Sequence, residues 1–133
     1  RTDSRETDGL GDAIDRINRY CDAGADIAFI EAPLSVDELE EICKRVEYPK
    51  LVNMLALGKT PILSTDELEQ MGFKIVVAPI DSVLMTAHCM REMAEVFKRE
   101  GHTKSLEDKM VGFDEVKDIL GLPEYLNLKD KLK

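Results

Sequence analysis

Three short apolar runs, residues 25–32 (ADIAFIEA), 50–55 (KLVNML) and 74–80 (KIVVAPI), have strand length and are bounded by Gly, Pro or charged residues. They read as buried strands. Between them the apolar positions change period. Leu10, Ile14, Ile17 and Cys21 recur at spacings of four, three and four, which predicts a helix over residues 10–23 stopped by Gly24. Ser35 followed three residues later by Glu38 is a capping-box pattern, and Leu39, Ile42 and Val46 form the apolar stripe of a second helix. A third is expected to open at Thr65, with Leu68 and Met71 inward and Gly72 closing it; a long fourth covers residues 81–100.

This alternation of helix and apolar strand predicts an α/β fold with a parallel sheet covered on both faces. Polar or turn residues at the strand tips, Glu31, Asn53 and Pro79, recur after 22 and 26 residues, a period that fits a (β/α) barrel. Arg1 and Asp3, the former 30 residues before Glu31, then read as the tip of one further strand. A complete barrel has eight strands and about 250 residues. The chain is therefore expected to be the C-terminal half of a (β/α)8 TIM barrel: residues 1–101 hold the tip of strand 5, strands 6–8 and their helices, and residues 102–133 form an appended helical arm. In that arm Phe113, Val116, Ile119, Leu120 and Leu122 make an apolar stripe with no strand beside it. Such a stripe needs cover, either from the barrel's base or from a neighbouring subunit.

Composition narrows the function. Of 133 residues, 44% are hydrophobic, enough for a core. Eighteen Lys and Arg against 27 Asp and Glu give a net charge of −9, which argues against electrostatic binding to nucleic acid or to an anionic membrane. No apolar run approaches the roughly 18 residues of a spanning helix, and no basic-then-apolar leader precedes residue 10, so a soluble protein is expected. Cys21, Cys43 and Cys89 are odd in number and lie in helical segments, which reads as free thiols in a reducing cytoplasm rather than a disulfide or zinc framework.

Strand carboxyl ends in one sheet converge on one crevice, which makes Arg1, Asp3, Glu31 and Asn53 the candidates for chemistry. An Arg fork suits a carboxylate or phosphate, a Glu can pair with it or with a metal-bound water, and an Asn amide can orient a substrate carboxylate. On spacing alone the plainer alternative, that Glu31 and Asn53 only close strand ends, stays open.

The stretches RTD, GLGDAIDRINRYCDAGADIAFIEAP, LVNMLALGKTPILSTDELEQMGFKIVVAP and REGHTKSLEDKM together resemble the second half of the isocitrate lyase and phosphoenolpyruvate mutase superfamily. The similarity is to the branch with methylisocitrate lyase, 2,3-dimethylmalate lyase and oxaloacetate decarboxylase. The resemblance implies that Arg1 binds the carboxylate or enolate end of the substrate, that Glu31 belongs to the polar shell near a magnesium ion and the leaving group, and that Asn53 contacts a substrate carboxylate. Pro61 and Leu63 would border the pocket. It also implies a barrel whose last helix is exchanged between subunits, commonly in a homo-tetramer.

The implied activity is magnesium-dependent retro-aldol cleavage of a 2-hydroxy (alkyl)malate-type acid to pyruvate and a second carboxylic acid, with Mg²⁺ and Arg1 stabilising a pyruvate enolate. The alternatives are an oxaloacetate decarboxylase, a phosphonate-forming mutase, or a non-catalytic half-barrel that serves assembly. Two departures qualify the resemblance. The family's acidic metal ligands and its Lys-Lys-Cys-Gly-His loop lie before the position of Arg1, so residues 1–133 alone are expected to be inactive. Where members that cleave tricarboxylates place Thr-Glu after the Asn strand, this chain reads Asn53-Met54-Leu55-Ala56, which points to a smaller or more apolar dicarboxylate.

Overall fold

Helix α1 spans Ser4–Thr7 and α2 spans Leu10–Asp22 in the computed structural model, which describes residues 1–131. Strand β1 is Ala28–Phe29, α3 Val36–Arg45, β2 Lys50–Asn53, α4 Thr65–Met71, β3 Ile75–Val77 and α5 Asp81–Glu100. A 3-10 segment Lys104–Lys109, then α6 Phe113–Ile119 and α7 Leu122–Lys131, complete the order. The expected helices are present, and the short α1 before Gly9 is an addition.

Helix starts follow the capping chemistry with two changes. At α3 the Ser35 hydroxyl accepts the Glu38 N–H at 3.1 Å, yet the Glu38 carboxylate turns outward to the Leu34 N–H (2.8 Å) instead of back to Ser35. At α4 the cap is Ser64 rather than Thr65: Ser64 is extended, and it exchanges a full capping box with Glu67. Gly72, at φ 109°, supplies the left-handed residue that ends α4.

The three strands are parallel in the order β1-β2-β3, with Phe29 beside Leu51 and Asn53 beside Val77. A parallel bridge between Thr2 and Ile30 adds the expected strand tip next to β1. Each strand is shorter than its apolar run for a local reason. After Glu31 the chain takes a left-handed turn at Ala32 (φ 55°) into Pro33, which has no N–H to donate. Met54 still donates to the Val77 carbonyl, but residues 55–58 turn away at once, and Pro79 closes β3.

Residues 1–85 form one compact unit and residues from 86 onward another, the division lying inside α5. In the first unit α3 serves two cores. Ile42 and Val46 pack with Ile14, Ile17, Cys21, Ala28 and Ile30, whereas Leu39 packs with Val52, Met54, Leu68 and Phe73. Each buried Leu, Ile, Val, Met or Phe side chain among them contributes about 1.5–3 kcal/mol. In the second unit Val96 and Leu106 are buried, while Phe113, Ile119 and Leu120 stand exposed. Among the described residues no helix is long and apolar enough to cross a membrane.

Candidate functional site

Strand parity decides which side chains meet. Along β2 Lys50, Val52 and Met54 are buried beneath the helices, so Leu51 and Asn53 point to the opposite face. Ala28 and Ile30 are buried likewise, which places Phe29 and Glu31 with Leu51 and Asn53. Continuing the register by two residues sets Glu31 beside Asn53. The bridge at Thr2 and Ile30 does the same on the other side: Thr2 turns inward to hydrogen-bond Ser4, and Arg1 and Asp3 fall on the face of Phe29 and Glu31.

The result is a cluster built around one oxygen. Glu31 Oε2 accepts the Asn53 Nδ2 amide at 3.2 Å and lies 3.1 Å from Arg1 Nη2. The Arg1 guanidinium sits over the Phe29 ring at 5.2 Å and reaches Asp3 through both Nη2 (2.8 Å) and Nε (3.2 Å). The Glu31 side chain is 28% exposed and that of Arg1 53%, so the cluster opens to solvent. Hydrogen bonding from Arg1 holds the Asp3 carboxyl below the usual carboxylate range, and the same bonds strengthen the hold of Arg1 on its proton. Chemically this is a guanidinium and an amide donor, of the kind that can take a carboxylate, each engaged here by carboxylates of the chain itself, Asp3 and Glu31.

Supporting pairs fix the strand end that carries Arg1. Arg5 on α1 forks onto Glu38 of α3 through Nε–Oε2 (2.9 Å) and Nη2–Oε1 (2.5 Å). Glu6 of the same helix pairs with Lys59, in the segment that follows β2. Pro61 is half-buried in that segment. Leu63 packs on the core of Leu39, Val52 and Leu68, and its N–H lies 3.4 Å from the Met54 sulfur. The cysteines are elsewhere: Cys21 lies in one core, Cys43 packs on the other, and burial pushes both thiols up. Among the described residues no group of three or more His, Cys, Asp or Glu side chains is placed to hold a metal ion.

Phe29, Arg5 with Glu38, and Lys59 with Glu6 are parts of this surrounding that the linear motif does not single out as site residues. Parity from the buried Ala28 and Ile30 places Phe29 only in the fold. The ion pairs span 33 and 53 residues and leave no local trace.

Residues 1–98 match the family described as phosphoenolpyruvate phosphomutase. The petal death protein of Dianthus caryophyllus is 35% identical over 133 residues, all of this chain and 42% of that protein. The chloroplastic carboxyvinyl-carboxyphosphonate phosphorylmutase of Arabidopsis thaliana is 38% identical over 132 residues, 97% of this chain and 39% of that protein. The crystal structure of a 2,3-dimethylmalate lyase superposes with a TM-score of 0.91 at 30% identity, covering 100% of this chain and 46% of that one. The chain thus spans about two fifths of the length of these curated relatives.

Proposed function

The chain belongs to the phosphoenolpyruvate phosphomutase family, and from that membership and the Glu31-centred cluster we propose that it is the C-terminal half of a (β/α)8 barrel lyase acting on small 2-hydroxy dicarboxylates. The observation that carries this reading is the convergence of Arg1, Glu31 and Asn53 on one oxygen at the strand carboxyl ends, where barrel enzymes place their chemistry. The likeness to the dimethylmalate lyase supports the reaction class.

The described residues do not fit a magnesium site. Glu31 is already engaged by Arg1 and Asn53 and Asp3 by Arg1, and among the described residues no group of three His, Cys, Asp or Glu donors is formed.

In the proposed cleavage a base takes the 2-hydroxyl proton, the oxygen's electrons form the new carbonyl of pyruvate, and the C2–C3 bond breaks. Its electron pair moves onto C3, the carbon that becomes the second acid, which is protonated last. The developing charge in a malate cleavage thus belongs to the leaving acid and not to a pyruvate enolate; the latter forms on decarboxylation of oxaloacetate or on P–C cleavage of phosphonopyruvate. Of the two carboxylates of the cluster, Glu31, which lies between Arg1 and Asn53, is the one placed to accept the hydroxyl proton. Arg1 supplies fixed positive charge to a carboxylate or developing carbanion, and Asn53 Nδ2 orients the other carboxylate. The apolar Leu55, Ala56 and Leu57 after Asn53 add no further carboxylate partner, which favours an alkyl-substituted dicarboxylate over a tricarboxylate.

The test is turnover by the intact protein with MgCl₂, read as pyruvate release from 2,3-dimethylmalate and from oxaloacetate and as phosphoenolpyruvate formation from phosphonopyruvate. Turnover of 2,3-dimethylmalate is expected, and Asn53→Ala should lower kcat/KM about 10- to 100-fold, the range for a lost hydrogen bond to a charged group. Turnover of phosphonopyruvate alone would make the protein a mutase, and full activity in Asn53→Ala would remove the site.

A further inference from the structure

Beyond Met54 the chain enters a tight turn in which the Gly58 N–H donates to the Leu55 carbonyl at 3.0 Å. Leu57 is left-handed at φ 64°, and its side chain is fully in solvent at 99% exposure. A Cβ on Gly58 would lie 2.9 Å from the Leu55 oxygen, so the turn admits no bulk there. An apolar branched residue in that backbone region, with no buried contact to hold it, is strained unless other elements fix the turn.

Two side chains do so from opposite sides of the strand ends. Lys59 pairs with Glu6 on α1, next to the Arg1 strand. From beyond β3, Asp81 at the start of α5 accepts the Ala56 N–H on Oδ1 at 3.3 Å. Its other oxygen, Oδ2, is buried with no hydrogen-bond partner, a cost that is unexplained if the side chain serves only the start of α5.

We propose that Asp81 is a positioning residue: it holds the 55–58 turn against the end of β3 and so, through the Met54 backbone, fixes the amide of Asn53 relative to Glu31 and Arg1. This rests on the reading of Arg1, Glu31 and Asn53 as the substrate site.

Two measurements on the intact protein separate the outcomes. Amide hydrogen exchange over residues 54–60 reads the turn without any ligand: Asp81→Ala should speed it at least tenfold, and Asp81→Asn, whose oxygen still accepts, should stay within threefold. Titration with oxalate in MgCl₂, a planar anion with two carboxylates, reads the site: Asp81→Ala should weaken binding at least tenfold and Asp81→Asn should restore it. If Asp81→Ala does not fold, Asp81→Ser, which keeps a small polar side chain at the start of α5 but is too short to reach Ala56, takes its place with the same expectation. Unchanged exchange, or faster exchange with unchanged oxalate affinity, overturns the proposal. Absence of oxalate binding in the unsubstituted protein overturns the site reading and the positioning role with it, while the exchange data still show whether Asp81 holds the turn.

Discussion

Replacing Glu38 by Ala removes three contacts at once: both arms of the Arg5 fork and the acceptor of the Leu34 N–H. The two side chains are 19% and 20% exposed, so this pair lies between an exposed ion pair, worth about 0–1 kcal/mol, and a buried one, whose breakage costs about 3–5 kcal/mol. Four-fifths burial with bidentate geometry places the cost of Glu38→Ala near 3 kcal/mol, most of it from stranding the Arg5 guanidinium. Leu34 is largely exposed, and water replaces its lost acceptor at little cost. Urea unfolding should show the midpoint falling by about 1–3 M for a slope of about 1–3 kcal/mol per M. The double variant Arg5→Ala/Glu38→Ala should recover part of the loss, with a coupling of about 1.5–2 kcal/mol. A coupling below about 0.5 kcal/mol would show that the fork does not tie α1 to α3, and the anchoring of the Arg1 strand would need another source.

The same pair predicts a pH dependence. Hydrogen bonds from Arg5, then from the Leu34 N–H, hold the Glu38 carboxyl below its usual value of 4.5, so its contribution is complete above that pH and is lost as pH falls through the lower folded value. The stability gap between the unsubstituted protein and Glu38→Ala should therefore be constant from about pH 6 to 8 and narrow below about pH 4; a gap that widens in acid would reverse the assignment. In the arm, Ile119 and Leu122 belong to the exposed apolar stripe, for which the family resemblance implies cover by a second subunit. Ile119→Asp with Leu122→Asp should lower the assembly by at least one step in light scattering, because an unpaired carboxylate in an apolar contact is costly, and an unchanged mass would refute the arm's role.

Much of this architecture was legible because it is local. Helices α2, α3 and α4 follow from apolar spacing and caps, whereas Ala28-Phe29-Ile30 is apolar on both faces, so the run marks burial but its parity appears only in the fold. The true cap of α4 lies one residue before the expected one, since both Ser64 and Thr65 carry the right hydroxyl and only the backbone distinguishes them. The short strands were not legible: an apolar run marks burial, whereas strand length depends on where partners stop, here at Ala32-Pro33 and at the 55–58 turn. That Glu31 and Asn53 share a face follows from a register which neither segment specifies by itself.

The role of Arg1 shows most clearly what packing adds to a motif. Read from its residue type, it is a free fork awaiting an anion. In the fold, two of its nitrogens already hold Asp3, and one of them also faces Glu31. Asp3 thus occupies Arg1 as a substrate carboxylate would, and binding becomes an exchange of one carboxylate for another. Such an exchange gains little Coulomb energy from Arg1 alone, because both states contain a paired guanidinium. Selectivity must then come from what Asp3 does not engage, the Asn53 amide and the geometry of the turn beside it. For that reason the Asn53 and Asp81 substitutions, rather than removal of Arg1, discriminate a substrate site from a strand end closed by its own ion pairs.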